Sequence, residues 1–374
     1  MARQSLLEIL ADIPDPRMVR TRIHRLDDVL MIVLIGLLGG CTSFDGIAAF
    51  AACREEWLRT ILRLPNGLPS HDTLGRVFAM LDPKLFAARV AEWSAQWRPE
   101  ASTHIAVDGK SLHGTPDNNF CGVLHLVSAW DPESGLLLGQ EAVANLSNEK
   151  TAIPPLLRML HLKGALVTMD ANGCQKSIAA AICEQKGDYL LAVKDNQPKL
   201  REAVEEVFDR AIAGDFAGFD VSQHASSERG HGRDEERYVT VIRHPPGLPE
   251  DWPDAAAIVQ VNRERTVDGR NTSTTHYYVT SRAESAEALG RWIRRHWAIE
   301  NELHWGLDVV FGEDAYRSGN RRAAANLALL RRVAATLLKQ MPGRESLRTK
   351  MIYAAGRQDY MNKMLSRIPR ALDA

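Results

Sequence analysis

Ile105-Ala-Val-Asp108-Gly-Lys110 and Leu166-Val-Thr-Met-Asp170-Ala-Asn-Gly173 are the stretches on which the fold turns. Each is a short apolar, β-branched run that ends in an aspartate followed by small residues, the texture of a buried strand delivering a carboxylate past its C-terminal edge. Gly109 and Gly173 leave room there for close approach of backbone or ligand. Either aspartate alone is as well explained by turn formation or helix capping. Two in equivalent places on neighbouring expected strands can share a hard divalent cation, because Mg²⁺ prefers oxygen ligands and keeps several waters.

Working outward, the spacing predicts strands over Thr103–Val107, Gly122–Ala129 and Leu136–Ala144, with Asp131–Gly135 turning the last two into a hairpin. A helix over Lys150–Leu160, a strand over Ala165–Met169, a helix over Gln175–Glu184 and a strand over Tyr189–Val193 follow. The order βββαβαβ is that of a ribonuclease-H-like core of the α/β (α+β) class: a mixed sheet flanked by helices, with an antiparallel hairpin and a parallel half. Other α/β folds share this order. Pro198–Ala213 reads as a further helix. Residues 215–280 alternate polar with β-branched or aromatic residues, at Tyr238–Ile242, Ala256–Val261 and Thr274–Val279, as a β-rich insertion would.

Residues 1–100 read as an N-terminal helical domain with helical spacing over Leu26–Leu38, Ile47–Leu62 and Leu74–Trp97. Breaks fall at Gly39-Gly40, Pro65-Asn66-Gly67 and Asp82-Pro83, and Asp72 or Thr73 is the expected N-cap of the helix after Ser70. Short helices joined by tight turns suit a module that binds DNA ends, and suit any small bundle too. The expected divisions are 1–100, the first part of the core at 101–213, the insertion at 214–282, the last part of the core at 283–340, and a basic tail at 341–374.

Composition narrows the class. Of 374 residues, 45% are hydrophobic and 25% charged, ordinary values for a soluble globular protein. Five cysteines form no CxxC pair or Cys/His cluster, which fits a reducing cytoplasm. The longest apolar stretch, Val29–Gly40, is too short to span a bilayer and reads as a buried helix, so no membrane partner is expected. The net charge is −1, but from Ala315 onward thirteen Lys/Arg face three acids. That segment is therefore +10 and the remainder −11, as suits a polyanion-binding arm joined to a cation-collecting site; a solvated helical surface explains the charge equally well. Ala323–Leu338 reads as an amphipathic helix.

Helical periodicity also returns at Ser285 and continues beyond Asp308. Within it His296, Glu300, His304 and Asp308 recur every four residues and drift slowly around one face, too polar for a core stripe. Ile293, Trp297 and Leu303 lie off that stripe as anchors, and Trp292, Trp297 and Trp305 are expected in the core. One reading has Glu300 join Asp108 and Asp170 on metal. The other is a zinc hydrolase site, but His296 and His304 lie two turns, roughly 12 Å, apart along a helix and do not reach one ion together.

At these residues the chain resembles DDE-type insertion-sequence transposases of the ISAs type, among them the H-repeat-associated proteins. The resemblance runs through Asp15-Pro-Arg17, Gly67-Leu-Pro-Ser-His-Asp-Thr73, Ala106-Val-Asp108-Gly-Lys110, Thr168-Met-Asp170-Ala171, Lys194-Asp-Asn-Gln197 and Gly230-His-Gly-Arg233 with Glu235 and Arg237. The most specific segment is His296-Trp-Ala-Ile-Glu300-Asn with His304-Trp-Gly-Leu-Asp308. It implies a catalytic Asp108, Asp170, Glu300 triad that binds two Mg²⁺ (or Mn²⁺) ions and cuts and joins DNA by two-metal phosphoryl transfer. The implied partners are the terminal inverted repeats of the element and target DNA, with a homodimer in the DNA complex.

Related transposases set the glutamate in a tyrosine-arginine-glutamate-lysine pattern; here the corresponding positions hold Ile293, His296 and Leu307. Arg294 or Arg295 is the candidate substitute for the arginine and His304 for the lysine. Lys110, Lys194, Asn196, Gln197, His231, Arg233, Arg237, Arg295 and His304 are the candidate DNA contacts. A nuclease without strand transfer would share every motif, and a non-catalytic DNA-binding relative would share most.

Overall fold

In a computed structural model, residues 6–99, 103–115, 123–144, 148–230 and 233–366 are described. They group into two compact units. The first comprises the described residues of Met1–Ser102, Gly109–Leu160 and Ile299–Ala374, the second those of Thr103–Asp108 and His161–Ala298.

The first unit opens with helices α1 (Leu6–Ala11), α2 (Leu26–Leu38), α3 (Phe44–Ala52), α4 (Glu55–Leu58), α5 (His71–Met80) and α6 (Pro83–Ala95). The expected α2 is found with its bounds unchanged and is buried almost throughout. Its one buried acid, Asp28, is satisfied by the backbone N–H groups of Arg63 and Leu64. The Ile47–Leu62 run is broken in two, and the Leu74–Trp97 run is interrupted at Asp82-Pro83, where a break was expected. Arg54 caps no helix through its side chain and starts α4 afresh, while Asp82 turns the chain into α6, its carboxylate accepting from Lys84 N, with Pro83 at the first helical position. The N-cap of α5 is Ser70, whose hydroxyl accepts from Thr73 N, in place of the Asp72 or Thr73 expected.

The same unit holds the hairpin of β2 (Leu124–Asp131) and β3 (Leu136–Ala142), the end of β1 (His104–Leu112) and α7 (Glu149–Arg158). Buried Asp131 organises the hairpin turn by accepting from Glu133 N and Ser134 N, and Gly135 closes it at φ +70°.

In the second unit β1 pairs in parallel with β4 (Leu166–Met169), and β4 with β5 (Asp188–Val193). Helices α8 (Lys176–Glu184) and α9 (Pro198–Ala213) flank β5 in sequence. The β-rich stretch contains four eleven-residue strands: β6 (Asp220–Gly230), β7 (Arg233–Arg243), β8 (Ala257–Val267) and β9 (Arg270–Thr280). It continues the core sheet, because β9 pairs antiparallel with β5 and the order runs β1-β4-β5-β9-β8-β7-β6. Strand β6 has no apolar alternation (burial reaches only half-buried along it), which is why periodicity did not reveal it. Next comes α10 (Ala286–His296), N-capped by Ser285; its Leu289 and Ile293 pack with Val239, Val241, Val259 and Val261 of β7 and β8.

Back in the first unit, the helical run continues not as an α-helix but as a π-helical segment, Ile299–His304, followed by α11 (Trp305–Val309). Then come α12 (Arg321–Gln340), α13 (Leu347–Gly356) and α14 (Gln358–Ser366). The expected amphipathic α12 is buried on every side from Ala323 to Leu338, as a helix at the centre of a core must be. Its polar residues are internal hooks. Asn326 donates to Phe78 O and Leu81 O, and the Thr336 hydroxyl accepts from Leu137 N.

Two arginines of the supposed basic arm lie in this helix with no exposed side-chain surface. Arg332 pairs with equally buried Glu313 at 2.8 Å, while Arg331 donates to Thr42 O and lies 4.7 Å from the Tyr316 ring. Lys350 is buried too and donates to Met341 O. Three of the thirteen C-terminal basic residues are therefore structural. Removing the counter-charge with Glu313→Gln should cost about 3–5 kcal/mol, the usual consequence of stranding one partner of a buried pair. Urea unfolding would check it, and a midpoint unchanged from wild type would show that the pair contributes nothing.

Candidate active site

The register decides where the two aspartates stand. The last paired residues of the parallel β1–β4 ladder are Val107 and Met169, so Asp108 and Asp170 each follow one step beyond, on strands about 4.8 Å apart. Strand β1 does not end at Val107 as expected but runs to Leu112, so Asp108 lies within a strand yet past its parallel pairing. Asp170 N-caps a short 3₁₀ turn, its Oδ1 accepting from Asn172 N at 2.9 Å and Gly173 N at 3.4 Å. Asp170 thus stands directly after the strand end as the cap of the turn that follows.

Beneath them runs a buried polar chain. Thr168 Oγ1 meets His104 Nε2 at 2.8 Å and His296 Nδ1 at 2.9 Å, linking β1, β4 and α10 one layer below the carboxylates. Trp292 stands edge-on to His104. Burial pushes the His296 imidazole down to about 4, so it is neutral at ordinary pH. It belongs to the core, with Nδ1 engaged by Thr168, and is not part of an exposed stripe.

A small enclosed space of about 70 Å³ adjoins Asp170 and is lined among others by Lys194, His276, Tyr278 and Trp297. Lys194 thus faces the same recess as the aspartate. The neighbouring Asn196 and Gln197 turn inward instead: Asn196 Nδ2 donates to Ala171 O, and Gln197 Nε2 to Cys174 O. Both hold the Asp170 loop.

Glu300 belongs to the first unit, exposed in the π-helical segment Ile299–His304. The wider turn of that segment breaks the four-residue drift foreseen for an α-helix. His304 and Leu303 are buried, whereas Trp297 and Trp305 are 46% and 57% exposed and Trp292 is only partly buried. Glu302 of this segment pairs with Lys339, and Asp308 of α11 lies 2.8 Å from Lys110 Nζ. Lys110 is buried between Asp308 and Asp314, 3.2 Å away, which makes it an internal clamp. Burial holds the Asp308 carboxyl above its ordinary range against the pull of Lys110.

Of the remaining candidates, Arg295 is half-buried in the last turn of α10, and Arg237 is ion-paired with Glu235 on β7. Arg233 opens β7 opposite Gly230 and Val267, while His231 lies outside the described residues.

One cluster had no sequence signal. His125 of β2 bridges Glu149 Oε1 (Nε2, 2.5 Å) and Ser111 Oγ (Nδ1, 2.8 Å), directly over Gly109. A Cβ at Gly109 would lie 2.1 Å from Glu149 Oε1 and 2.6 Å from His125 Nε2, so this glycine is needed for close packing. The three residues come from separate elements with no recurring spacing, so nothing in the sequence joins them.

The carboxylate oxygens of Asp108 and Asp170 suit a hard divalent cation, and Mg²⁺ is commonly held by one or two carboxylates with waters. Among the described residues, no three His, Cys, Asp or Glu side chains are gathered as one ligand cluster. No helix of the described residues is long and apolar enough to cross a membrane.

Comparison with known proteins identifies a family over most of the chain. A family model described as "Transposase DDE domain" matches residues 99–338, and one described as "DDE_Tnp_1-associated" matches residues 7–94. "Putative transposase YncI" of Escherichia coli O157:H7 is 36% identical over 350 residues, covering 91% of this chain and 88% of the relative. Two proteins of Escherichia coli K12, "Putative protein YbfL" and "H repeat-associated putative transposase YhhI", are each 33% identical over 98% of this chain and 99% of their own length.

Because His296 is buried neutral, the unfolded chain takes up a proton between its ordinary pKa near 6.5 and about 4 that the folded chain does not. Stability is complete above that window and falls as pH drops through it, by about 3 kcal/mol at full effect. Urea midpoints at pH 7 and pH 4 should converge by that amount in His296→Gln relative to wild type; an equal acid loss in both would count against a buried neutral imidazole.

Proposed function

The chain belongs to the DDE transposase family, and on that premise we propose that it cuts and joins the DNA of an insertion sequence in a metal-dependent reaction. The observation that carries the proposal is the parallel β1–β4 register, which leaves Asp108 and Asp170 side by side just past the end of their ladder. Glu300 is the third acid we assign, on the resemblance of its His296–Asp308 segment to the family and on its exposed position in that segment. Their carboxylate oxygens would hold Mg²⁺ or Mn²⁺. When bound, such ions would supply Lewis acidity to the attacking water or 3′-hydroxyl and to the leaving oxygen.

The chain's own residues do the rest by position. Two backbone N–H groups fix Asp170 Oδ1, so the carboxylate needs no reorganisation to bind. Asn196 and Gln197 brace the loop that carries it. Lys194, facing the Asp170 recess, is placed to draw a phosphate towards the acids, and Arg237 and Arg295 are further candidates for holding the strand. The partners are the terminal inverted repeats of the element and its target DNA. Two ends must be paired, which favours a homodimer in the complex.

The test is a cleavage and strand-transfer assay on duplexes that carry the element's ends, with Mg²⁺ or Mn²⁺. Asp108→Asn, Asp170→Asn and Glu300→Gln should each drop both activities to background. Wild type should also gain thermal stability from Mn²⁺, and the variants should lose that gain. Cleavage without joined products would make the protein a nuclease of the same fold. Full activity in Glu300→Gln would move the third role to another acid. A folded wild type that binds DNA and never cuts it would defeat the enzymatic reading.

A further inference from the structure

The outer half of the β6–β9 sheet is sorted by charge. In antiparallel pairing, partners across neighbouring strands share a face and alternate residues along a strand share it too. By the register, Val239, Val241, Val259, Val261 and Tyr278 stand on one face, and there they pack with Leu289 and Ile293 of α10. Further out, the same face carries Arg237, Arg263 and Arg265, with Arg270 at the start of β9. Its acids are Glu228 and Glu235, and both are engaged: Glu235 with Arg237, and Glu228 with Arg237 and Arg294 of α10. The opposite face over the same length has three acids, Asp234, Glu236 and Glu264, and one base, Arg229, which is paired with Asp234.

A solvated ribbon gains most by interleaving charges on each face. Here Arg263 stands directly opposite Arg237, whose charge is already shared with Glu228 and Glu235. Among the described residues Arg263, Arg265 and Arg270 form no ion pair. The basic face also leads to the acid. His276, on β9 diagonally across from Arg263, lines the recess that Lys194, Tyr278 and Asp170 share. Burial, with Arg263 and Lys194 nearby, keeps its imidazole below the usual histidine range.

We propose that this face, through Arg263, Arg265 and Arg270, grips the phosphate backbone of DNA and leads the strand along the sheet to Asp170. The inference rests on the transposase reading and deepens it, adding three arginines that no motif singles out. Phosphate contact is independent of sequence, so the footprint should extend over flanking DNA as well as the element's end.

The experiment measures Kd for a fluorescein-labelled mixed-sequence DNA duplex over a NaCl series, with wild type, Arg263→Ala/Arg265→Ala/Arg270→Ala, and Glu236→Gln/Glu264→Gln from the other face. The slope of log Kd against log salt should fall by about 2–3 in the arginine variant, at about 0.9 per phosphate contact, and stay at the wild-type value in the glutamate variant. Arg270→Glu, at an exposed hairpin end where it cannot disturb the core, should lower the slope by about 1 even if the triple variant does not fold. A wild-type slope in folded Arg270→Glu, or in the folded triple variant, overturns the surface while leaving the transposase reading intact, provided wild type still binds and cleaves. Wild type that binds no DNA overturns both.

Discussion

The parallel pairing of β1 with β4 is the constraint on which the candidate site depends. Side chains alternate along a strand with period two, so a slip of one residue would send Asp108 to the other face of the sheet and away from Asp170. Two things pin the register. Both strands are buried on both faces over their paired residues, as parallel strands in a covered sheet are. The Thr168 hydroxyl, between His104 and His296, then gives the apolar ladder a single satisfied alignment. A slip would leave buried imidazole nitrogens without partners, at a cost of about 1–3 kcal/mol each.

The first unit uses the same device on a helix. Helix α12 is buried on every side from Ala323 to Leu338, and its Asn326, Arg331, Arg332 and Thr336 reach specific partners on α5, the Thr42 loop, the Glu313 loop and β3. Buried ion pairs such as Arg332–Glu313 are weak evidence for net stability, since desolvation offsets the attraction, but breaking one is costly. Lys110 between Asp308 and Asp314 follows that logic beside the glutamate-bearing segment. Polar side chains that look like a nucleic-acid surface in sequence are here the fasteners of the core.

Counting charge along the chain therefore fell short twice, in opposite directions. It left the arginines and lysine that α12 and α13 bury to either a polyanion-binding arm or a solvated helical surface, because a sequence carries no record of depth. It also passed over Arg263, Arg265 and Arg270, because β-strand parity interleaves them with Glu264, Thr266 and Asn271, and the local sum is unremarkable. Only cross-strand register separates the two faces. The π-helical turn at Ile299–His304 is a third case: spacing of four residues is ambiguous between an α-helix at 3.6 per turn and a wider turn, so His296 and His304 could not be told from exposed residues.

By itself the sequence determined the element order of the core, the bounds of α2 and α9, the two strand-borne aspartates and the family, because those follow from periodicity, breakers and ordered motifs that are local in the chain. Tertiary structure alone decided the partners of Asn196, Gln197 and Lys110, the cluster of Ser111, His125 and Glu149 over Gly109, the burial of Arg331 and Arg332, and the basic face of the β6–β9 sheet. Each of these depends on side chains brought together from different elements. A residue's neighbours along the chain say which conformation it prefers, whereas its neighbours in space decide whether its charge is solvated, paired or presented to a ligand.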